Sequence, residues 1–247
     1  MNNYELEKII NNKLNSKKIH DYIPNGLQIE GKNNIKKIIT GVSICQKLID
    51  IAIQKQAEAI IVHHGFFWKN ESNRIIKNKK NRLKSILSHE INLYNWHLPL
   101  DIHDQLGNNV QIAKKLGINI LGKITDLVLW GNFSHKIPVS TFIQKVNTIF
   151  NHEVMCFKNP DNNFIKNIAW CSGRGQKYIK YACNFSLDAF LTGEASEDTM
   201  HYSYENKIHF FSAGHYCTER FGIQKLGDWL NKNYNLNVEF IDIYNPI

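Results

Sequence analysis

Apolar positions recur at helical spacing close to the amino terminus. Leu6, Ile9, Ile10 and Leu14 share one face of residues 5–16 and predict an opening amphipathic helix. A turn-rich stretch follows, Asp21-Tyr22-Ile23-Pro24-Asn25-Gly26. Next come a β-rich apolar run over 35–42, a helix with Leu48, Ile49, Ala52 and Ile53 on one face, and a second apolar run, Ala59-Ile60-Ile61-Val62. That run stops at His63-His64-Gly65. Strand, helix and strand in this order make a β-α-β unit, and in open parallel sheets ligand sites collect at the carboxyl ends of the strands.

The same order returns as a strand over 168–171, a helix over 178–184 and a strand over 188–191 that ends at Thr192-Gly193-Glu194. An offset of 130 residues, the one that carries Ile35 onto Ile165, aligns the two units without a gap. It pairs Ile38 with Ile168, Gln46 with Gln176, Ile49 with Ile179, Ala52 with Ala182 and Ala59 with Ala189, and sets His63-His64 opposite Gly193-Glu194. Two related α/β halves are therefore expected, 1–125 and 126–247, with the C-terminal helix able to pack back on the first. The remaining pattern predicts a helix over 196–204, a strand over 208–212, a turn at Ala213-Gly214, a long helix over 218–231 and a last strand over 238–241. Alternation of this kind predicts an α/β fold with mostly parallel sheets.

With 247 residues, 43% of them hydrophobic, the chain can build such cores. No run of about eighteen apolar residues occurs, and the start, Met1-Asn2-Asn3-Tyr4-Glu5, lacks the basic-then-apolar order of a signal peptide. A cytoplasmic location without membrane contact is expected. The five cysteines stand singly, with no C-x-x-C pair, which argues for reduced thiols; Cys217 fits a small buried hydrophobe or a reactive thiol. A net charge of +8 favours anionic partners. Asn, Ile and Lys are abundant throughout, however, and no basic block is interleaved with aromatics, so nucleic acid is not the expected partner. Residues 77–82 read as a solvated loop or helix start.

Three clusters carry candidate chemistry. His63-His64 ends a strand, where adjacent imidazoles can serve two metals once the backbone leaves regular pleating; a structural or surface role also fits the pair taken alone. Trp96-His97-Leu98-Pro99-Leu100-Asp101 follows a short apolar run, 91–94. Asp101 can bridge two cations through its two oxygens, or cap a helix over 110–116. His215 and Glu219, four apart after the glycine turn, share one helical face if a helix starts near Tyr216, although a Glu there can also be only a dipole partner. Each cluster ends a strand-like run, and in this architecture such ends converge. His97 can act as a proton shuttle or orient Asp101. Ser172-Gly173-Arg174-Gly175-Gln176 reads as a strand-to-helix turn, with an anion cradle as its alternative.

Six stretches, Asp21 to Gln28 (DYIPNGLQ), His63 to Trp68 (HHGFFW), His97 to Asp101 (HLPLD), Gly107-Asn108-Asn109, Thr192-Gly193-Glu194 and Gly214 to Glu219 (GHYCTE), together resemble the GTP cyclohydrolase I type 2 family, also called the Nif-three-like family. The resemblance spans nearly the whole chain. It implies a dinuclear metal centre between two α/β halves, with His63, His64, Asp101, His215 and Glu219 as ligands, and a toroidal homohexamer. The expected cofactors are two divalent cations per subunit, among iron, zinc and manganese.

The expected function is hydrolysis of GTP or a related, damaged nucleotide. Two cations about 3.5–4 Å apart generate hydroxide and polarise the electrophile. In the GTP version hydroxide attacks C8 of the purine, with His97 or Glu194 moving protons as catalytic groups. The rival readings are a two-metal phosphoesterase and a non-enzymatic ring in which metals brace the fold.

Overall fold

The computed structural model describes residues 1–247. In chain order the elements are α1 (Asn3–Leu14), β1 (Gly26–Ile29), β2 (Lys37–Ser43), α2 (Gln46–Gln54), β3 (Ala59–His64), α3 (Lys77–Ser88), β4 (Asn92–Asn95), α4 (Leu98–Ile102) and α5 (Asn108–Leu116). They continue with β5 (Asn119–Thr125), β6 (Val128–Pro138), α6 (Val139–Phe150), β7 (Met155–Phe157), β8 (Phe164–Trp170), α7 (Ile179–Ala182), β9 (Ala189–Thr192), α8 (Glu197–Glu205), β10 (His209–Ser212), α9 (His215–Tyr234) and β11 (Asn237–Phe240). Two compact units result: Met1–Leu106 with Gly222–Ile243, and Gly107–Phe221 with Tyr244–Ile247. The chain thus crosses between units at Leu106 and Gly107, where the sequence pattern puts the change near 125. The physical reason is that β5 pairs with β6 along most of its length, which ties residues 119–125 to the second sheet.

The first unit holds a five-stranded sheet of order β1-β4-β3-β2-β11. Its pairings are parallel except that of β1, which runs antiparallel to β4. β2, β3 and β4 are buried almost continuously, as strands covered on both faces must be. Ile39, Ile60, Val62 and Leu93 pack with Leu48, Ile49 and Ala52 of α2 and with Leu83 and Ile86 of α3. α1 begins at Asn3 because the Asn2 side chain accepts from the N–H groups of Tyr4 and Glu5, and it ends at Asn15 in the left-handed conformation.

The second unit holds a six-stranded sheet of order β5-β6-β8-β9-β10-β7. Only β8, β9 and β10 run parallel; β5, β6 and β7 are antiparallel to their neighbours. A mostly parallel sheet is accordingly found in the first unit, and a mixed one in the second. β1, the β5–β6 hairpin and α6 have no counterpart in the pattern reading. The expected helix over 178–184 is a short α7 between two 3-10 turns, Gln176–Tyr178 and Cys183–Phe185. Tyr, Cys, Asn and Phe all propagate a helix poorly. No helix is long and apolar enough to cross a membrane.

The expected internal repeat is visible in strand register. Ile38 lies opposite Ala59 across β2 and β3, and Ile168 opposite Ala189 across β8 and β9, which are the same positions at the offset of 130. Glu58 accepts from the backbone N–H groups of Lys36 and Lys37 (3.3 and 2.8 Å), and Asp188 accepts from those of Lys166 and Asn167 (both 2.8 Å).

Candidate metal centre

In the first unit the candidate residues lie at the carboxyl ends of β3 and β4. Neighbouring residues of a regular strand point to opposite faces, yet the rings of His63 and His64 are only 4.5 Å apart, centroid to centroid. The two rings converge although β3 stays paired with β2 through His64. His63 is buried, and its Nδ1–H donates to the carbonyl oxygen of Trp96 at 3.1 Å. That bond fixes Nε2 as the lone-pair nitrogen, 3.5 Å from Oδ1 of Asp101. His64 Nδ1 lies 2.9 Å from the Ser43 hydroxyl at the end of β2.

Asp101 sits inside α4, not at a helix cap; Gly107 occupies the position before α5. His97 precedes α4. Its Nδ1–H donates to Asp21 Oδ1 at 3.0 Å, its backbone N–H donates to Asn25 Oδ1 at 2.8 Å, and the Leu98 N–H donates to Asp21 Oδ2 at 2.9 Å. Burial acts to raise the Asp21 pKa, but the His97 hydrogen bond and charge, helped by Asn25 and Leu98, bring it down to about 2. Asp21 is therefore a carboxylate that holds His97 in one tautomer. His63, His64 and His97 each offer a ring nitrogen, and the three atoms lie within 4.8 Å of one another. Ring nitrogens this close together could hold a metal ion.

In the second unit the candidates lie at the ends of β8, β9 and β10. α9 starts at His215, three residues before the predicted helix, so His215 and Glu219 share a face with Nε2 and Oε2 2.9 Å apart. Nδ1 of His215 lies 2.6 Å from Glu194 Oε1. Burial would lower the His215 pKa; the charge and hydrogen bond of Glu219, with those of Glu194, raise it instead to about 9. A cation between these groups would take the place of that proton. The other Glu194 oxygen lies 3.5 Å from Arg174 Nε and 3.5 Å from Gln176 Nε2.

The Ser172–Gln176 turn walls this group. Gly173 has φ +61°, and a Cβ there would collide with Glu219 Oε1 and press on His215 Nε2. Its N–H donates to Thr218 Oγ1, whose own hydroxyl proton goes to backbone carbonyls of Gly214 and His215. Cys217 is fully buried, in keeping with the small-hydrophobe reading.

Residues 1–246 match the family described as Duf34/NIF3 (NGG1p interacting factor 3). The chain belongs to this family. Among its Duf34/NIF3 relatives, the GTP cyclohydrolase 1 type 2 homolog of Buchnera aphidicola subsp. Acyrthosiphon pisum is 55% identical over 247 residues, covering 100% of both chains. The protein of the same description from Escherichia coli K12 is 49% identical over 246 residues, again covering 100% of each. A solved structure described as protein ybgI, of unknown function, is similar at TM-score 0.98 and 48% identity, covering 100% of both chains. TTHA1606 from Thermus thermophilus is similar at TM-score 0.91 and 26% identity over 100% of both chains.

Against this Duf34/NIF3 fold, sequence reasoning missed Asp21 and Gly173. Asp21 is 76 residues from the histidine it holds, and its only signal was an acidic residue opening the DYIPNG turn. The pattern around Gly173 marks only a strand-to-helix turn or an anion cradle, and its two neighbouring ligand candidates lie more than forty positions later in the chain.

Proposed function

We propose that this chain is a dinuclear metal-dependent hydrolase acting on GTP or a related, damaged nucleotide. His63, His64, Asp101, His215 and Glu219 are its metal ligands in this reading, for two divalent cations per subunit drawn from iron, zinc or manganese. The observation that carries it is the pair of adjacent imidazoles at the end of β3, His63 and His64, with Asp101 Oδ1 3.5 Å from His63 Nε2. The description of the curated relatives supports the nucleotide assignment.

Two such cations, when bound, acidify water and polarise the bond that breaks. The protein's own groups do the rest. Asp21 keeps the proton of His97 on Nδ1, so Nε2 is the atom that takes up a proton and returns it to the opening ring. Glu194 orients His215 and shares proton transfer with His97. The family resemblance supports, in addition, a homohexamer in the cytoplasm.

The test is metal analysis of the protein as isolated, followed by GTP turnover before and after chelation. His64→Ala and Asp101→Ala are each expected to lose metal and turnover together. Turnover that persists in metal-free protein would overturn the reading. Unfolding on chelation, with no turnover of any nucleotide, would favour a ring braced by its metals.

A further inference from the structure

Two aromatic side chains stand beside the imidazoles; neither is a proposed metal ligand, and the Tyr22 hydroxyl lies 3.4 Å from Nε2 of His97. Trp68 belongs to the loop after β3, and its Nε1–H donates to the Gly65 carbonyl oxygen at 3.1 Å, which fixes the indole. Its ring is 5.7 Å from His64 and 5.5 Å from His97, meeting the latter edge-on at 76°. Tyr22, from the turn before β1, is 51% exposed. It lies 5.0 Å from His97 and 5.9 Å from Trp68, with 41° between the planes of the Tyr22 and Trp68 rings.

The backbone that delivers Trp68 passes through Phe67 at φ +70°, a conformation unfavourable to a residue with a Cβ. Strain of this kind collects at binding sites. A half-exposed phenol and an anchored indole are poor core material but good surfaces for stacking a flat ring. The same loop carries Lys69 and Arg74, both exposed and of the sign that an anionic tail requires.

The geometry points to Tyr22 and Trp68 as a stacking platform that holds the planar heteroaromatic ring of the substrate, a purine-type base, against the group formed by His63, His64 and His97. This rests on the nucleotide reading above and assigns its base-binding residues. Because neither Tyr22 nor Trp68 is among the proposed metal ligands, the platform makes a prediction separable from metal loading.

The probes are GTP, guanosine and inorganic tripolyphosphate, titrated into the full-length protein as isolated. Binding is read by calorimetry and tryptophan fluorescence, and metal content is measured alongside. GTP and guanosine are expected to quench fluorescence, and tripolyphosphate is not. Trp68→Leu and Tyr22→Leu should each weaken GTP binding about tenfold to a hundredfold, with metal content and tripolyphosphate binding unchanged. Trp68→Phe should restore much of the loss. Undiminished GTP affinity in both leucine variants would overturn the platform while leaving the metal-hydrolase reading intact. Failure of the wild-type protein to bind either guanine compound would overturn it too, and the chelation and turnover experiment then judges the metal reading by itself. Tyr22 is half-exposed, so its variant keeps the test available should Trp68→Leu not fold.

Discussion

His97 and His215 are each held at Nδ1 by a carboxylate, Asp21 at 3.0 Å and Glu194 at 2.6 Å. One imidazole in each unit is thereby oriented with Nε2 as its remaining nitrogen, facing Tyr22 in one and Glu219 in the other, by partners that sequence separation hides. His63 and His64 were legible because two adjacent imidazoles at the end of an apolar run are conspicuous. Glu219 was legible because its spacing from His215 is one helical turn. Gly173 was not, since the need for a missing Cβ is a property of what packs against it. Gly173→Ala combines an unfavourable left-handed backbone, about 1–2 kcal/mol, with a collision at Glu219. It is expected to lower the melting temperature and to reduce metal uptake, measured by thermal unfolding and metal analysis of the same preparation.

Among the elements, the repeated β-α-β unit is the feature read most directly from sequence, and its strand register fits the offset of 130. Both copies use a carboxylate just before the second strand to bind two backbone N–H groups of the first strand or its immediate start. Removing either acceptor leaves those donors to weaker partners. Glu58→Ala and Asp188→Ala are each expected to cost about 1–3 kcal/mol, and denaturant unfolding would measure it. A much smaller loss for both would show the clasp to be incidental. The copies differ in their helices. α2 is a continuous helix that buries Leu48, Ile49 and Ala52, whereas its counterpart breaks into α7 and two 3-10 turns. Apolar spacing survives in both, and propensity alone separates them. β1 was missed because a four-residue strand beside a turn carries too little alternation to read.

For the molecule as a whole, acid stability is governed in part by His209, which is buried in the second unit. Its Nδ1 accepts from the Asn159 N–H at 3.0 Å, and burial, the largest influence, lowers its pKa below 6.5. Asp188 and the Asn162 backbone oppose that shift, and Lys158 adds to it. The unfolded chain therefore binds the proton more readily than the folded one. The stabilisation is complete above pH 6.5 and is lost as the pH falls below it toward the folded pKa. His209→Asn keeps an acceptor and has no proton to gain. Its unfolding free energy should consequently fall less steeply between about pH 6.5 and 5 than that of the wild-type protein, as read from urea titrations at each pH. Equal slopes would remove His209 from the acid response.

The alternation of strands and helices, the repeat, and the residue types able to bind metal are all legible along the chain, because periodicity and spacing are local quantities. That Asp21 holds His97, that Gly173 makes room for Glu219, that Tyr22 and Trp68 flank the imidazoles, and that the second sheet is mixed emerge only once the chain is packed. Each of those depends on which distant segments pack together, and close packing of segments remote in the chain leaves no periodic trace in their order.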